Sequence, residues 1–60
     1  MKVSEMVKLL KKAGWKIKRH GSSHDIWFNP QTGATVSIPR HGAKELPSGT
    51  AANIMKDAGL

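Results

Sequence analysis

The run Trp15-Lys16-Ile17-Lys18-Arg19-His20-Gly21-Ser22-Ser23-His24-Asp25-Ile26-Trp27-Phe28 reads as two strands broken by a flexible turn. Trp15 and Ile17 fall on one side and Lys16 and Lys18 on the other, the two-residue period of a half-buried strand. Gly21-Ser22-Ser23 interrupts that period, and residues 24–28 resume as a second strand. Downstream, Asn29-Pro30-Gln31-Thr32-Gly33 has the chemistry of a hairpin loop: Pro30 presets a turn and Gly33 accepts a positive φ. Ala34 to Ile38 then makes a third strand, with Ala34, Val36 and Ile38 inward, Thr35 and Ser37 outward, and Pro39 as its stop.

A helix is expected on each side of these strands. Val3, Met6, Val7, Leu10 and Ala13 recur at three- and four-residue spacing and form one apolar stripe, while Lys8, Lys11 and Lys12 lie opposite. Ser4 is the expected N-cap and Glu5 suits the helix dipole. Gly14 fits the left-handed residue that ends a helix, with Trp15 folding back on the last turn. Pro47 and Ser48 open the second helix. Ala51, Ile54, Met55 and Ala58 share one of its faces, and Gly59-Leu60 repeats the glycine stop.

Three consecutive strands with short loops give an antiparallel meander, and both helices on one face would hide Trp15, Ile17, Val36 and Ile38. The fold class is therefore α+β, with the α-β-β-β-α order of the double-stranded RNA-binding domain. Domains of that shape meet RNA with a strand-connecting loop and the start of the last helix. Here those places hold Arg19 to Ser23 and Arg40 to Gly49. Trp27 has the parity opposite to Ile26 and Phe28, which puts it on the open sheet face. There it would stack on an unpaired base or await a protein partner, unless a bulge at the Gly21 turn reverses the parity.

Composition narrows the function. Sixty residues make one domain, 1–60, and a chain this short buries only roughly 60% of the surface its unfolded form exposes. Ten Lys and Arg against four Asp and Glu leave a formal net charge of +6, which favours a polyanionic partner, nucleic acid first. The absence of cysteine excludes disulfides and thiolate-ligated metals. No segment approaches the ~18 apolar residues of a membrane span, and a soluble, cytoplasmic protein is expected.

Gly21-Ser22-Ser23-His24 is the stretch best suited to chemistry. A neutral imidazole accepts a proton from a ribose 2′-hydroxyl near neutral pH, and a protonated one donates to a leaving 5′-oxygen. Lys16, Lys18, Arg19, Arg40 and Lys44 are the cations available for phosphate, and Gly21, Ser22 and Ser23 complete a loop fit for it. The alternative is an ordinary strand-edge histidine held by a neighbouring hydroxyl, and the four residues by themselves favour that alternative.

Metal binding is not expected. His20 and His24 have a three-residue gap, with His41 and Asp25 as further donors, but on a continuous strand they would stand about 13 Å apart, in cationic surroundings and with no cysteine partner. A serine-hydrolase reading lacks an orienting carboxylate and an oxyanion hole. Arg40-His41-Gly42-Ala43-Lys44 precedes a helix whose free amides attract anions, and either a phosphate site or a plain exposed loop fits there.

Taken together, these pieces resemble the HicA (YcfA-like) toxins of the HicA–HicB toxin–antitoxin pairs. The resemblance runs through Val3 to Leu10, Lys11-Lys12-Ala13-Gly14-Trp15, Gly21-Ser22-Ser23-His24 and Val36-Ser37-Ile38-Pro39-Arg40-His41. It is most specific in Lys44-Glu45-Leu46-Pro47-Ser48-Gly49-Thr50 and Ile54-Met55-Lys56-Asp57-Ala58-Gly59-Leu60. It implies the double-stranded RNA-binding-like fold, cleavage of messenger RNA by one histidine in a Gly-Ser-His motif, and no cofactor. By position that histidine is His24, although this sequence carries one serine more than the shortest form of the motif. The implied partner is a HicB-type antitoxin that covers the active site, with the toxin monomeric alone and hetero-oligomeric with its inhibitor. His20 and His41 are the candidates for a second acid or base. An RNA-binding module without chemistry, or a basic adaptor for another protein, are the alternatives.

Overall fold

The computed structural model describes residues 1–40 and 43–60. Its elements are α1 (Val3–Lys12), β1 (Lys16–His20), β2 (His24–Phe28), β3 (Thr35–Pro39) and α2 (Ser48–Ala58). The three strands form one antiparallel sheet in the order β1-β2-β3. The α-β-β-β-α architecture read from the periodicity is thus the architecture present.

The first helix starts earlier than Ser4 would have it. Lys2, not Ser4, holds the cap position, and its amide donates to the Glu5 carboxylate at 3.0 Å. The Val3 amide donates to the Lys44 carbonyl at 3.0 Å, and the Leu46 amide to that of Met1 at 2.8 Å. These backbone bonds to a distant segment satisfy groups that a local serine would otherwise have capped. They also draw Leu46, which lies outside the helices and strands, into the core. The helix ends as expected: Gly14 has φ +92°, and the Trp15 amide folds back to the Leu10 carbonyl at 2.9 Å.

The sheet registers decide which side chains meet the helices. Trp27 lies opposite Ile17 on one side and Val36 on the other, and Asp25 lies opposite Ile38. Directly paired residues of an antiparallel sheet share a face. Trp27 therefore joins Val36 and Ile38 beneath α1 and α2 and is only 3% exposed. This corrects its expected place on the open face: β2 keeps its two-residue period, with Trp27 on the covered side and Ile26 and Phe28 on the open one. Both sides of β2 carry apolar residues, and pairing with the aliphatic face of β3 selects the Trp27 side for the core.

Ile17 occupies the core-facing side as expected, yet it is 40% exposed. It sits on the edge strand, where α1 does not close over it. Ala34 also stays exposed, just ahead of β3, and does not point into the core as expected. The core is built from Val3, Met6, Leu10, Trp15, Trp27, Val36, Ile38, Leu46, Ala51 and Ile54, with Val7, Met55 and Ala58 against it. The buried stripes of both helices thus meet one face of the sheet.

The loops follow their residues. The Gly33 amide donates to the Asn29 carbonyl at 2.7 Å, with Gly33 at φ +76°, and the Gln31 amide donates to Asn29 Oδ1 at 2.9 Å. At the chain end Gly59 is left-handed, and the Leu60 amide reaches the Met55 carbonyl at 2.8 Å. Pro47 takes the cap position of α2, and among the described residues no side chain caps that helix.

Candidate functional site

The β1–β2 connection is a tight turn. His20 pairs with Asp25, and the Gly21 amide donates to the His24 carbonyl at 2.8 Å. Only glycine fits at position 21. A Cβ there would lie 2.4 Å from the His24 carbonyl oxygen, far inside van der Waals contact. The requirement is a close approach of backbone to backbone rather than an unusual dihedral.

A bulge in β1 sets the faces around this turn. Ile17 pairs with Trp27 and Arg19 with Ile26, so Lys18 is an extra residue without a partner on β2. Unbroken alternation would have placed His20 with Lys16 and Lys18, and Arg19 with Ile17. The bulge reverses this. Arg19 faces the open side with Ile26, and His20 turns to the helix side with Asp25.

The consequence is a shallow concavity lined by Arg19, Gly21, Ser22, Ser23, His24 and Ile26. Five of the residues proposed from sequence therefore come together. His24 is exposed, and its Nδ1 shares a hydrogen bond of 2.9 Å with the Ser23 hydroxyl. That hydroxyl accepts from the ring in the tautomer protonated at Nδ1 and donates to it in the other. Nε2 makes no hydrogen bond to the described residues.

Beneath the turn lies a polar cluster that joins His20, Asp25 and Arg40, which the sequence does not suggest as a group. The His20 Nδ1–H donates to Asp25 Oδ1 at 2.9 Å, and the Arg40 Nε–H donates to the same oxygen at 3.2 Å. The Arg40 guanidinium also donates to the Gly21 carbonyl, and its amide to the Ser23 carbonyl at 3.2 Å. One residue past β3 thus clamps both ends of the turn. The Asp25 side chain is only 15% exposed, and its carboxyl is held below the ordinary carboxylate range. The His20 hydrogen bond is the main cause. Partial burial opposes it and Arg40 adds to it.

The other predicted residues lie elsewhere. Lys16 is on the same sheet face as His24 but at the far end of β2, opposite Phe28. Lys18 borders a neighbouring depression with Arg19. Arg40 stands behind the turn, engaged with Asp25, and the Lys44 carbonyl accepts the Val3 amide. Neither Arg40 nor Lys44 lines the concavity. His20 points to the helix side and does not join His24. His41 falls outside the described residues, as does part of the anion site expected ahead of α2. Among the described residues no three His, Cys, Asp or Glu side chains gather as metal ligands, and no helix is long and apolar enough to cross a membrane. The Arg40 clamp was missed because its partners are 15 and 19 positions away, a separation that no local pattern reports.

The family model described as the HicA toxin of bacterial toxin–antitoxin systems matches residues 3–60, from the first residue of α1 to the chain end. The chain belongs to the HicA toxin family. No curated protein matches it. As a HicA-family toxin it is one half of a toxin–antitoxin system, and the match spans both helices, all three strands and the turn that carries His24.

Proposed function

We propose that the protein is an endoribonuclease toxin that cleaves messenger RNA without a metal, using His24 for proton transfer, and that a HicB-type antitoxin inhibits it. The observation that carries this reading is the exposed His24 imidazole, hydrogen-bonded through Nδ1 to Ser23 and sharing a concavity with Arg19. With Nδ1 protonated and donating to the Ser23 hydroxyl, the Nε2 lone pair is available to a substrate.

In the reaction, Nε2 takes the proton of a ribose 2′-hydroxyl. The 2′-oxygen attacks the adjacent phosphorus, and the bond from phosphorus to the 5′-oxygen breaks. The imidazolium so formed, or water, protonates that leaving oxygen, so the products are a 2′,3′-cyclic phosphate and a 5′-hydroxyl. Charge growing on the phosphorane oxygens meets the Arg19 guanidinium, a cation from the lining of the same concavity. Gly21, Ser22 and Ser23 offer the substrate a surface without bulky side chains. The net charge of +6 supports a polyanionic substrate. Messenger RNA as substrate places the activity in the cytoplasm, with the toxin monomeric until its antitoxin joins it.

Cleavage of RNA in EDTA by the wild type and by His24→Ala, with circular dichroism on both, tests the assignment. Loss of cleavage in a folded His24→Ala protein is expected. Equal cleavage by the two would sink the role of His24, and activity that vanishes on EDTA addition would restore a metal. If neither protein cleaves RNA but both bind it, the chain is a non-catalytic RNA-binding module.

A further inference from the structure

Both helices cover one face of the sheet, and the opposite face is open. Ile26 and Phe28 project from β2 on that side, half-buried, with no described element packed over them. Lys16 stands opposite Phe28 and Arg19 opposite Ile26. The bulge adds Lys18, which lines a depression with Arg19, Ile26 and Thr35. That depression shares Arg19 and Ile26 with the His24 concavity, so the two are continuous. The acid of β2, Asp25, is turned to the other face, which leaves this one a row of cations beside an aromatic ring.

We propose that the open sheet face is a track for single-stranded RNA that leads into the His24 concavity, with an unpaired base stacked on Phe28 and phosphates held by Lys16, Lys18 and Arg19. The proposal rests on RNA being the substrate and adds its strandedness and its path. A duplex keeps its bases stacked on each other and presents grooves and backbone, so it has no use for a flat aromatic surface. A single strand offers free base faces and a backbone that cations can follow. From His24 to Phe28 the strand runs about 13 Å, enough for a short stretch of nucleotides beside the scissile bond. The competing surface is α1, where the exposed Lys8, Lys11 and Lys12 would suit a duplex backbone.

The test is fluorescence anisotropy in EDTA and low salt with a short 2′-O-methyl oligoribonucleotide, as a single strand and as its duplex. Lacking 2′-hydroxyls, it is bound without being cut. The single strand should bind at least about tenfold more tightly than the duplex, and Phe28→Leu should weaken it about 5- to 150-fold, the range for one lost base stack. Phe28→Trp keeps an aromatic surface and should retain the affinity, with its added fluorescence quenched by RNA, which preserves the test if Phe28→Leu fails to fold. Lys16→Gln should lower the salt slope by about 0.7, one phosphate contact on a single strand.

Equal or tighter duplex binding would overturn the inference, as would unchanged affinity in folded Phe28→Leu, binding weakened by Lys8→Gln in place of Lys16→Gln, or no binding of either RNA. The two readings fail separately. Cleavage that needs His24 but ignores Phe28 removes only the track; single-strand binding through Phe28 with equal cleavage by wild type and His24→Ala removes only the role of His24.

Discussion

His20 and Asp25 face each other across the first hairpin, the ring Nδ1–H donating to the carboxylate at 2.9 Å on the side of the sheet away from His24. Arg40 donates to the same carboxylate oxygen from beyond β3. One acid therefore ties the ends of all three strands together directly behind the candidate site.

This arrangement makes an acid-sensitive contribution to stability. The Asp25 carboxyl is held below its ordinary value in the folded chain, mainly by the His20 hydrogen bond. The stabilisation is thus complete above the unfolded value of about 3.9 and is lost as pH falls through the lower folded one. Asp25→Asn should melt below the wild type at about pH 5.5, and the gap should close toward about pH 2.5. Thermal melts followed by circular dichroism check this. A gap of constant size down to the lowest pH would show that the carboxylate's charge is not what matters.

Gly21→Ala should destabilise the domain by about 1–3 kcal/mol, the cost of forcing an extra methyl into an occupied space. The new Cβ would meet the His24 carbonyl at 2.4 Å, so the turn must shift and take His24 with it. Denaturant unfolding measures the first effect, and the His24 ring proton shifts in an NMR spectrum the second. An unperturbed His24 signal would contradict the close approach.

Ser23→Ala removes the hydroxyl that meets His24 Nδ1 at 2.9 Å, at an exposed position. Melting should hardly change, since surface substitutions usually stay within about 0.5 kcal/mol. The proposed cleavage should slow roughly 2- to 10-fold, the range for one ordinary hydrogen bond. Because the hydroxyl holds the orientation of the ring, the loss should fall in kcat more than in KM. A pure KM effect would assign Ser23 to RNA binding instead.

Trp27→Ala should unfold the protein or nearly so. Removing a buried tryptophan typically costs about 3–5 kcal/mol, and a domain this short rarely has more than about 3–5 kcal/mol in hand. Circular dichroism at low temperature with and without stabilising sulfate would show it. A variant with native ellipticity and melting would mean that Trp27 is not under the helices.

Much of the fold was legible because it rests on local physics. The apolar stripe from Val3 to Leu10, the left-handed glycines at 14 and 59, and the Asn29–Gly33 hairpin each depend on neighbours in the chain. The grouping of Gly21, Ser22, Ser23 and His24 was legible for the same reason, since one tight turn holds all four. What escaped involves partners far apart in sequence. Leu46 is buried because the chain beside it pairs with the first residues, and Asp25 is clamped by Arg40 from the end of another strand.

The sequence by itself determined the order of elements, the glycine stops of the two helices and the turn that bears His24. Tertiary structure decided which side of β2 is the inside. A two-residue period separates the faces of a strand but does not say which is covered, and β2 is apolar on both. Cross-strand pairing of Trp27 with Val36 settles it and leaves Ile26 and Phe28 outside. The extra residue at Lys18 then resets the phase of β1, bringing Arg19 round to His24 and sending His20 to Asp25. Only the pairing of one strand with the next could supply those two choices.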